Sequence, residues 1–167
     1  RYRSSAASDV YKRQVILLGY ITGGVIRAFV VGIAVYFVTV YFTEIRIYNL
    51  WFVILITFLT SFVFATAGFI NAAYAKSFDD INIVPTFVLT PLVYLGGTFY
   101  SIESLPQIWQ DFSSINPIAY IVSSYRYGFL GIEEINIFLA LVIVLVFAVF
   151  LFIIGIQILN KGVGIKN

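Results

Sequence analysis

Long apolar stretches alternate with polar connectors along this chain, and their lengths set the first prediction. An α-helix rises about 1.5 Å per residue, so crossing the roughly 30 Å hydrocarbon core of a bilayer takes about 20 apolar residues. The stretches that come close to this length are residues 21–42, 50–73, 83–100 and 135–159. The third is the shortest, and it is interrupted by Pro85, Pro91, Gly96 and Gly97. The pattern predicts an all-α membrane protein with four transmembrane helices, the third kinked at Pro91, Gly96 and Gly97.

The long connector, Ser101–Glu134, carries two shorter helical patterns, at about residues 104–114 and 117–130. Ser104 with Gln107 three residues later resembles a capping box at the start of the first. Asn116 followed by Pro117 predicts an N-cap and a first-turn proline for the second. Both helices are amphipathic and too short to span. They are expected to lie in the membrane interface or to re-enter the membrane.

Composition agrees with a membrane protein and removes several kinds of chemistry. Hydrophobic residues make up 61% of the chain and charged residues 11%, with a mean hydropathy of +0.99. Soluble domains average about 45–50% apolar and about 25% charged. The chain contains no Cys and no His, which excludes disulfides, thiolate and imidazole metal ligands, and Cys or His catalytic pairs. No catalytic, cofactor-binding or metal-binding residue is predicted, and the chain is not expected to be an enzyme.

Residues 4–14, SSAASDVYKRQ, are polar and run directly into an apolar stretch. Read back into DNA, this peptide resembles the transposase adapter used to prepare sequencing libraries. We therefore expect residues 1–14 to be translated adapter and not structural, and residues 15–167 to form the protein domain. Without residues 1–14, the count of Lys and Arg falls from 10 to 6 and that of Asp and Glu from 8 to 7, so the net charge is −1 instead of +2. No basic cluster remains, and no nucleic-acid partner is expected.

The basic residues that flank the spans predict an orientation, since cytoplasmic flanks carry an excess of Lys and Arg. With the C-terminus cytoplasmic, the cytoplasmic side carries Lys76, Lys161, Lys166 and the snorkelling Arg27, against Arg46 and Arg126 on the other side. The connector at residues 43–49 and the long connector then face outward.

Small residues form faces on the first two spans, at Gly24, Ala28 and Gly32 and at Ser61, Ala65, Gly68 and Ala72. Such faces serve packing within one chain or a subunit interface, and both readings stay open. Asp79-Asp80 and Glu133-Glu134 are adjacent carboxylates and are interpreted as solvated loop residues.

The predicted spans carry no ionisable residue except Arg27, whereas proton- and ion-coupled carriers place such residues at membrane depth. The sequence also contains no GxxxxGK[ST] phosphate loop. Any uphill transport must therefore draw its energy from another chain.

Residues 90–131, TPLVYLGGTFYSIESLPQIWQDFSSINPIAYIVSSYRYGFLG, resemble the permease subunit of ABC-2 type ATP-binding-cassette exporters. The recurring elements are Pro91, Leu92, Leu95, Gly96, Gly97, Phe99 and Tyr100, then Leu105 and Pro106, Asn116 and Pro117, Tyr120, and Arg126 leading into YGFLG. GGVIRA, residues 23–28, is similar to the entry to the family's third span.

The resemblance implies six spans, of which the four predicted here match the last four, with a re-entrant pair of helices before the last. It implies a bacterial cytoplasmic (inner) membrane protein that exports a drug-like, lipid-linked or polysaccharide substrate. Expected partners are a cytoplasmic ABC ATPase that holds the ATP and Mg, a second permease copy and membrane lipids.

Two assignments follow for individual residues. Gly23, Gly24 and Arg27 are expected at the edge of the ATPase contact, and Arg126 in a structural or gating role, or else as a surface Arg that snorkels. The alternative function is a passive membrane channel or a membrane scaffold with no ATPase partner.

Overall fold

The computed structural model describes the backbone of residues 2–44 and 46–161 and the side chains of residues 14–44 and 46–161. Every regular element in these ranges is helical. The helices are α1 (Tyr2–Phe42), α2 (Leu50–Tyr74), α3 (Phe78–Val84), α4 (Thr90–Leu95), α5 (Gln107–Ile115), α6 (Pro117–Leu130) and α7 (Ile137–Lys161). A π-helical turn, Pro85–Leu89, joins α3 to α4 into one span, Phe78–Leu95. Within these described ranges, four helical stretches are long and apolar enough to cross a membrane, which confirms the predicted fold class.

Helix α2 lies at the centre of the bundle and packs against α1, α6 and α7. One cluster of buried residues joins α2, α6 and α7, and its members are Ile56, Val63, Ile121, Val144 and Ala148. A second cluster joins α1 to α7 through Leu17, Ile21 and Leu159. Lipid tails are as apolar as these side chains, so the association depends on close packing more than on removal of apolar surface from water.

Helix α6 runs lengthwise against the first half of α2. A Cβ atom placed on Gly128 would lie 2.7 Å from Val53 Cγ2, and the Tyr125 hydroxyl donates to Thr57 Oγ1 at 3.2 Å. As the chain advances along α6 from Tyr125 to Gly128, its contacts move back along α2 from Thr57 to Val53, so the two helices are antiparallel. Because α2 is long enough to span the membrane, α6 lies beside the first half of a span, and its re-entry into the membrane stays a prediction.

The two connectors expected on one side of the membrane meet at one end of the bundle. The backbone amides of Tyr48 and Asn49 donate to the carbonyls of Phe129 and Gly128, at 3.2 and 2.9 Å. Gly131 has φ +72° and lies under the Tyr48 ring, where a Cβ atom would come within 3.1 Å of the ring. We call this end of the bundle the Tyr48 end and the opposite end the Lys76 end. Which end faces the cytoplasm stays a prediction.

The third span starts and ends earlier than predicted, at Phe78 and Leu95 instead of 83 and 100. Ser77 begins it with a capping box, in which the Ser77 hydroxyl accepts from the Asp80 amide and the Asp80 carboxylate accepts from the Ser77 amide. The interpretation of Asp80 as a solvated loop residue is therefore wrong. Gly96 and Gly97 lie just after the helix, so they end the span and do not kink its interior.

The capping box predicted at Ser104 and Gln107 does not form. Pro106 is the N-cap of α5, and the Ser104 hydroxyl donates instead to the Ser101 carbonyl at 2.7 Å. The reason is local, because a residue before proline is pushed out of the helical region, and Leu105 is extended with ψ 154°.

Two predictions at the ends of the chain stay open. Helix α1 starts at Tyr2, so the backbone of residues 2–14 is helical, and the adapter origin of residues 1–14 stays a prediction. Most of the predicted C-terminal tail, including Lys166, lies outside the described residues.

Candidate functional site

Polar side chains of the long connector hold the C-terminal end of the third span. The last carbonyls of a helix have no partner within the helix, and in an apolar environment each must find one elsewhere. Here the Asn116 amide donates to the Leu92 carbonyl at 2.7 Å, and the Ser113 hydroxyl donates to the Leu95 carbonyl at 2.8 Å. Both side chains come from segments distant in sequence. We call this set, completed by Arg126, the third-span clamp.

Asn116 acts in two directions at once. Its side-chain oxygen accepts from the Ile118 amide at 3.0 Å and caps α6, while its side-chain nitrogen binds the third span. Pro117 fills the first helical position, as predicted. Asn116 is 4% exposed, so water does not compete strongly for either bond. One side chain therefore fixes the start of α6 relative to the end of the third span.

Arg126 completes the clamp from the other end of α6. One guanidinium nitrogen, Nη2, donates to the carbonyls of Gly97 and Tyr100, the latter at 3.2 Å. The other, Nη1, donates to both carboxylate oxygens of Glu134, at 2.7 and 2.8 Å. Arg126 thus joins the end of the third span to the segment before α7. Glu134 lies in the exposed loop before α7, which agrees with its interpretation from sequence as a solvated loop residue, and its pairing with Arg126 is a contact that the interpretation did not include.

The glycines of the clamp are required by close contact and backbone conformation. A Cβ atom on Gly96 would lie 3.0 Å from Ile118 Cγ2 and 3.1 Å from the Leu92 carbonyl oxygen. Gly97 has φ +75°, a conformation that side chains with a Cβ rarely adopt. Gly97 therefore allows the chain to turn so that its carbonyl meets Arg126.

Pro91 lies inside the third span, two residues after the π-helical turn ends at Leu89. Proline has no amide hydrogen, and its ring crowds the carbonyl four residues before it, so it disturbs regular α-helical bonding. A wider π turn absorbs such a disturbance. Both the amide and the hydroxyl of Thr90 donate to the Pro85 carbonyl across that turn, the hydroxyl at 3.1 Å. The irregularity predicted for this span is therefore a π turn between Pro85 and Pro91.

The other predicted residues of the long connector stabilise it locally. The Leu105 carbonyl accepts from the Gln110 side chain at 2.8 Å, and the Tyr120 hydroxyl donates to the Ser114 carbonyl at 2.6 Å. Pro106 is the N-cap of α5. These contacts shape the turn into α5 and the reversal between α5 and α6.

The predicted ATPase-coupling residues divide between the interior and the surface of α1. Gly24 faces α2, where an added Cβ atom would lie 2.7 Å from Ala65 Cβ, so Gly24 serves packing within the chain. Gly23 has open space at its Cβ position, and Arg27 is exposed. Because α1 extends well before residue 21, Arg27 lies inside the candidate span Gln14–Phe42 and not near its start. A role of Gly23 and Arg27 in a partner contact stays a prediction.

Sequence reasoning missed Ser113, Glu134 and the Ser77–Asp80 capping box. Ser77 and Asp80 have the spacing of a capping box, which could have been recognised. Ser113 and Glu134 carry no local signal, because their partners lie 18 and 8 residues away.

The bundle and the clamp define a class of protein: a multi-pass α-helical membrane protein whose span at Phe78–Leu95 is held by the helical connector that follows it. The model of the ABC-2 type transporter family matches residues 2–130. The chain belongs to this family.

Relatives agree with this assignment. The chain is 44% identical over 153 residues to the inner membrane transport permease YadH of Escherichia coli strain K12, covering 92% of this chain and 60% of that protein. It is 26% identical over 146 residues to nodulation protein J of Sinorhizobium fredii, covering 87% of this chain and 56% of that protein. The chain thus spans about 60% of the length of the first of these relatives. No solved structure gives a significant match. Four apolar spans and an inner membrane relative support a multi-pass inner membrane protein.

Proposed function

We propose that this chain is part of the permease subunit of an ATP-driven ABC-2 type exporter and forms part of its translocation pathway. The observation that carries the proposal is the family match across residues 2–130 together with 44% identity to a transport permease. The proposed cargo is drug-like, lipid-linked or polysaccharide, and the proposed partners are a cytoplasmic ABC ATPase, which binds ATP and Mg, and a second permease copy.

The chemistry of the spans supports an external source of energy. In the described spans the charged residues are Arg27, the Asp79-Asp80 pair in the first turn of the third span, and Lys161 at the end of α7. No carboxylate lies at the middle of a described span, where a coupled carrier would bind its proton or ion. The proposal therefore assigns ATP hydrolysis to the separate ATPase subunit and gives the permease a C-terminus in the cytoplasm.

Co-expression with the ABC ATPase encoded at the same locus tests the proposal. We expect a complex that survives purification in lipid and whose ATP hydrolysis changes when Gly23 is replaced by Trp, since Gly23 has open space at its Cβ position. Val31→Trp places the same ring at another exposed position of α1, two turns further on, and is expected to leave ATP hydrolysis unchanged. A permease that never co-purifies with an ATPase and conducts solute down its gradient would favour the channel alternative.

A further inference from the structure

An open groove separates α1 from α2 in the half of the bundle nearer the Tyr48 end. The two helices touch closely where Gly24 meets Ala65, and they then diverge, so that no atom lies within 4 Å of the Cβ position of Gly32. The groove has a volume of about 650 Å³, and Tyr125 and Phe129 of α6 form its floor. Volumes of about 300–1,000 Å³ are typical of ligand sites.

The groove is lined mainly by hydrocarbon and presents few free hydrogen-bonding groups to a ligand. None of its lining residues is charged. The hydroxyls of Thr39 and Ser61 bind carbonyls of their own helices at 2.8 and 2.9 Å, and those of Thr57 and Tyr125 bind each other. Among the described lining residues, Thr60 has a buried hydroxyl oxygen without a partner, and a threonine in a helix can bond the carbonyl one turn earlier. A matching occupant is therefore an uncharged chain of hydrocarbon.

A cation lies beside the mouth of this groove. Ile47 lines the groove, and Arg46, which directly precedes it, is exposed. In the described part of the chain no ion pair or hydrogen bond involves the Arg46 side chain, and Glu44 forms none with it. Tyr48 and Trp51 are 65% and 81% exposed at the same level, as is typical of aromatic residues at the lipid headgroups. A guanidinium at this level binds phosphate well.

We propose that the groove binds one glycerophospholipid, with an acyl chain between α1 and α2 and its phosphate on Arg46. The hydrocarbon lining fits an acyl chain, and the unpaired guanidinium at the headgroup level fits the phosphate attached to it, whereas an apolar transmembrane helix would match the lining alone. The site is independent of the proposed function, because it needs neither ATP nor a transported substrate.

Native mass spectrometry tests the proposal. The protein is reconstituted in vesicles of phosphatidylethanolamine and phosphatidylglycerol and is then extracted into detergent for the measurement. We expect the wild type to retain one phospholipid per chain. Gly32→Phe fills the groove and should abolish retention, whereas Val31→Phe, at an exposed neighbouring position outside the lining, should retain the lipid. Arg46→Ala should weaken retention about fivefold and Arg46→Lys less, as expected for one basic residue at an anionic surface. Equal retention by Gly32→Phe and Val31→Phe would refute the proposal.

Photo-crosslinking gives a second measurement that needs no bulky substitution. The chain has no Cys, so Thr60→Cys can carry a photoreactive maleimide inside the groove, and Phe150→Cys can carry it on an exposed face of α7. In detergent, after surface lipid has been removed, we expect a phospholipid adduct at residue 60 and none at residue 150. A protein adduct at residue 60 would show that a polypeptide covers the groove and would overturn the assignment, as would equal lipid adducts at both positions.

Discussion

Arg126 is the residue whose replacement tests the third-span clamp most directly. Arg126→Ala removes four hydrogen bonds: two to Glu134, one to the Gly97 carbonyl and one to the Tyr100 carbonyl. Hydrogen bonds to a charged group contribute about 1.5–3 kcal/mol when buried, and exposed ion pairs contribute about 0–1 kcal/mol. Since the Arg126 and Glu134 side chains are 22% and 25% exposed, water recovers part of the loss. We expect the free energy of unfolding to fall by about 2–3 kcal/mol.

Two further variants separate the contributions of the carboxylate and the carbonyls. Glu134→Ala leaves the carbonyl contacts of Arg126 in place, so it should cost about 1 kcal/mol, less than Arg126→Ala. Arg126→Lys keeps the charge without the planar set of donors and should restore no more than about half of the loss. The double variant should show a coupling free energy of about 1 kcal/mol between the two side chains.

Denaturant unfolding in detergent micelles, followed by the fluorescence of Trp51 and Trp109, measures these differences. Arg46→Ala is the matched control, because Arg46 lies in a connector, is exposed and pairs with none of the described residues, so its effect should stay within about 0.5 kcal/mol. If Arg126→Ala costs no more than Arg46→Ala, Arg126 is a surface residue that snorkels, and its contacts in the clamp make no contribution to stability.

The remaining predictions concern the turn, the cap and the topology. Gly97→Ala should lower the free energy of unfolding by about 1–2 kcal/mol because its φ is +75°. Adding Ile102→Ala should remove the close contact between the new Cβ atom and Ile102 but not the backbone strain, so it should restore only part of the loss. Asn116→Ser keeps a capping oxygen but cannot donate to Leu92 as the amide does, so thermal unfolding should find it more stable than Asn116→Ala and less stable than the wild type. Single cysteines at the exposed positions 79 and 104 should react with an impermeant maleimide from opposite sides of the membrane, and labelling from one side would contradict the four-span topology.

The spans could be predicted because their signal is local. The thickness of the bilayer sets the length of an apolar run, and each run can be read without knowing its neighbours. Asn116 and Pro117 were also predictable, since the cap and the first turn of a helix are set by adjacent residues. The start of the third span was missed because Ser77 and Asp80 are polar and lengthen the span beyond its apolar run.

The clamp could not be predicted in the same way, because its partners are chosen by the packing of α6 against α2 and the third span. Nothing near Arg126 in the sequence indicates that it binds the carbonyls of Gly97 and Tyr100, 29 and 26 residues away. Glu133 and Glu134 are adjacent carboxylates. The path of the backbone after Gly131 determines that Glu134 is the one that pairs with Arg126. Every residue has a backbone carbonyl, so the sequence does not indicate which carbonyl a side chain such as Arg126 binds.

The residues that carry the family resemblance are largely those that meet at the clamp. Gly96 and Gly97 let the chain turn and pack closely, Asn116 and Arg126 donate to carbonyls near the end of the span, and Pro91 follows the π turn. An unbonded carbonyl in an apolar environment costs several kcal/mol. A span whose end is packed against α6 and shielded from water therefore needs donors from α6 and its cap. This requirement accounts for the polar pattern of the motif without assigning any of these residues to the transported substrate, and it leaves the determinants of substrate choice to other surfaces of the protein.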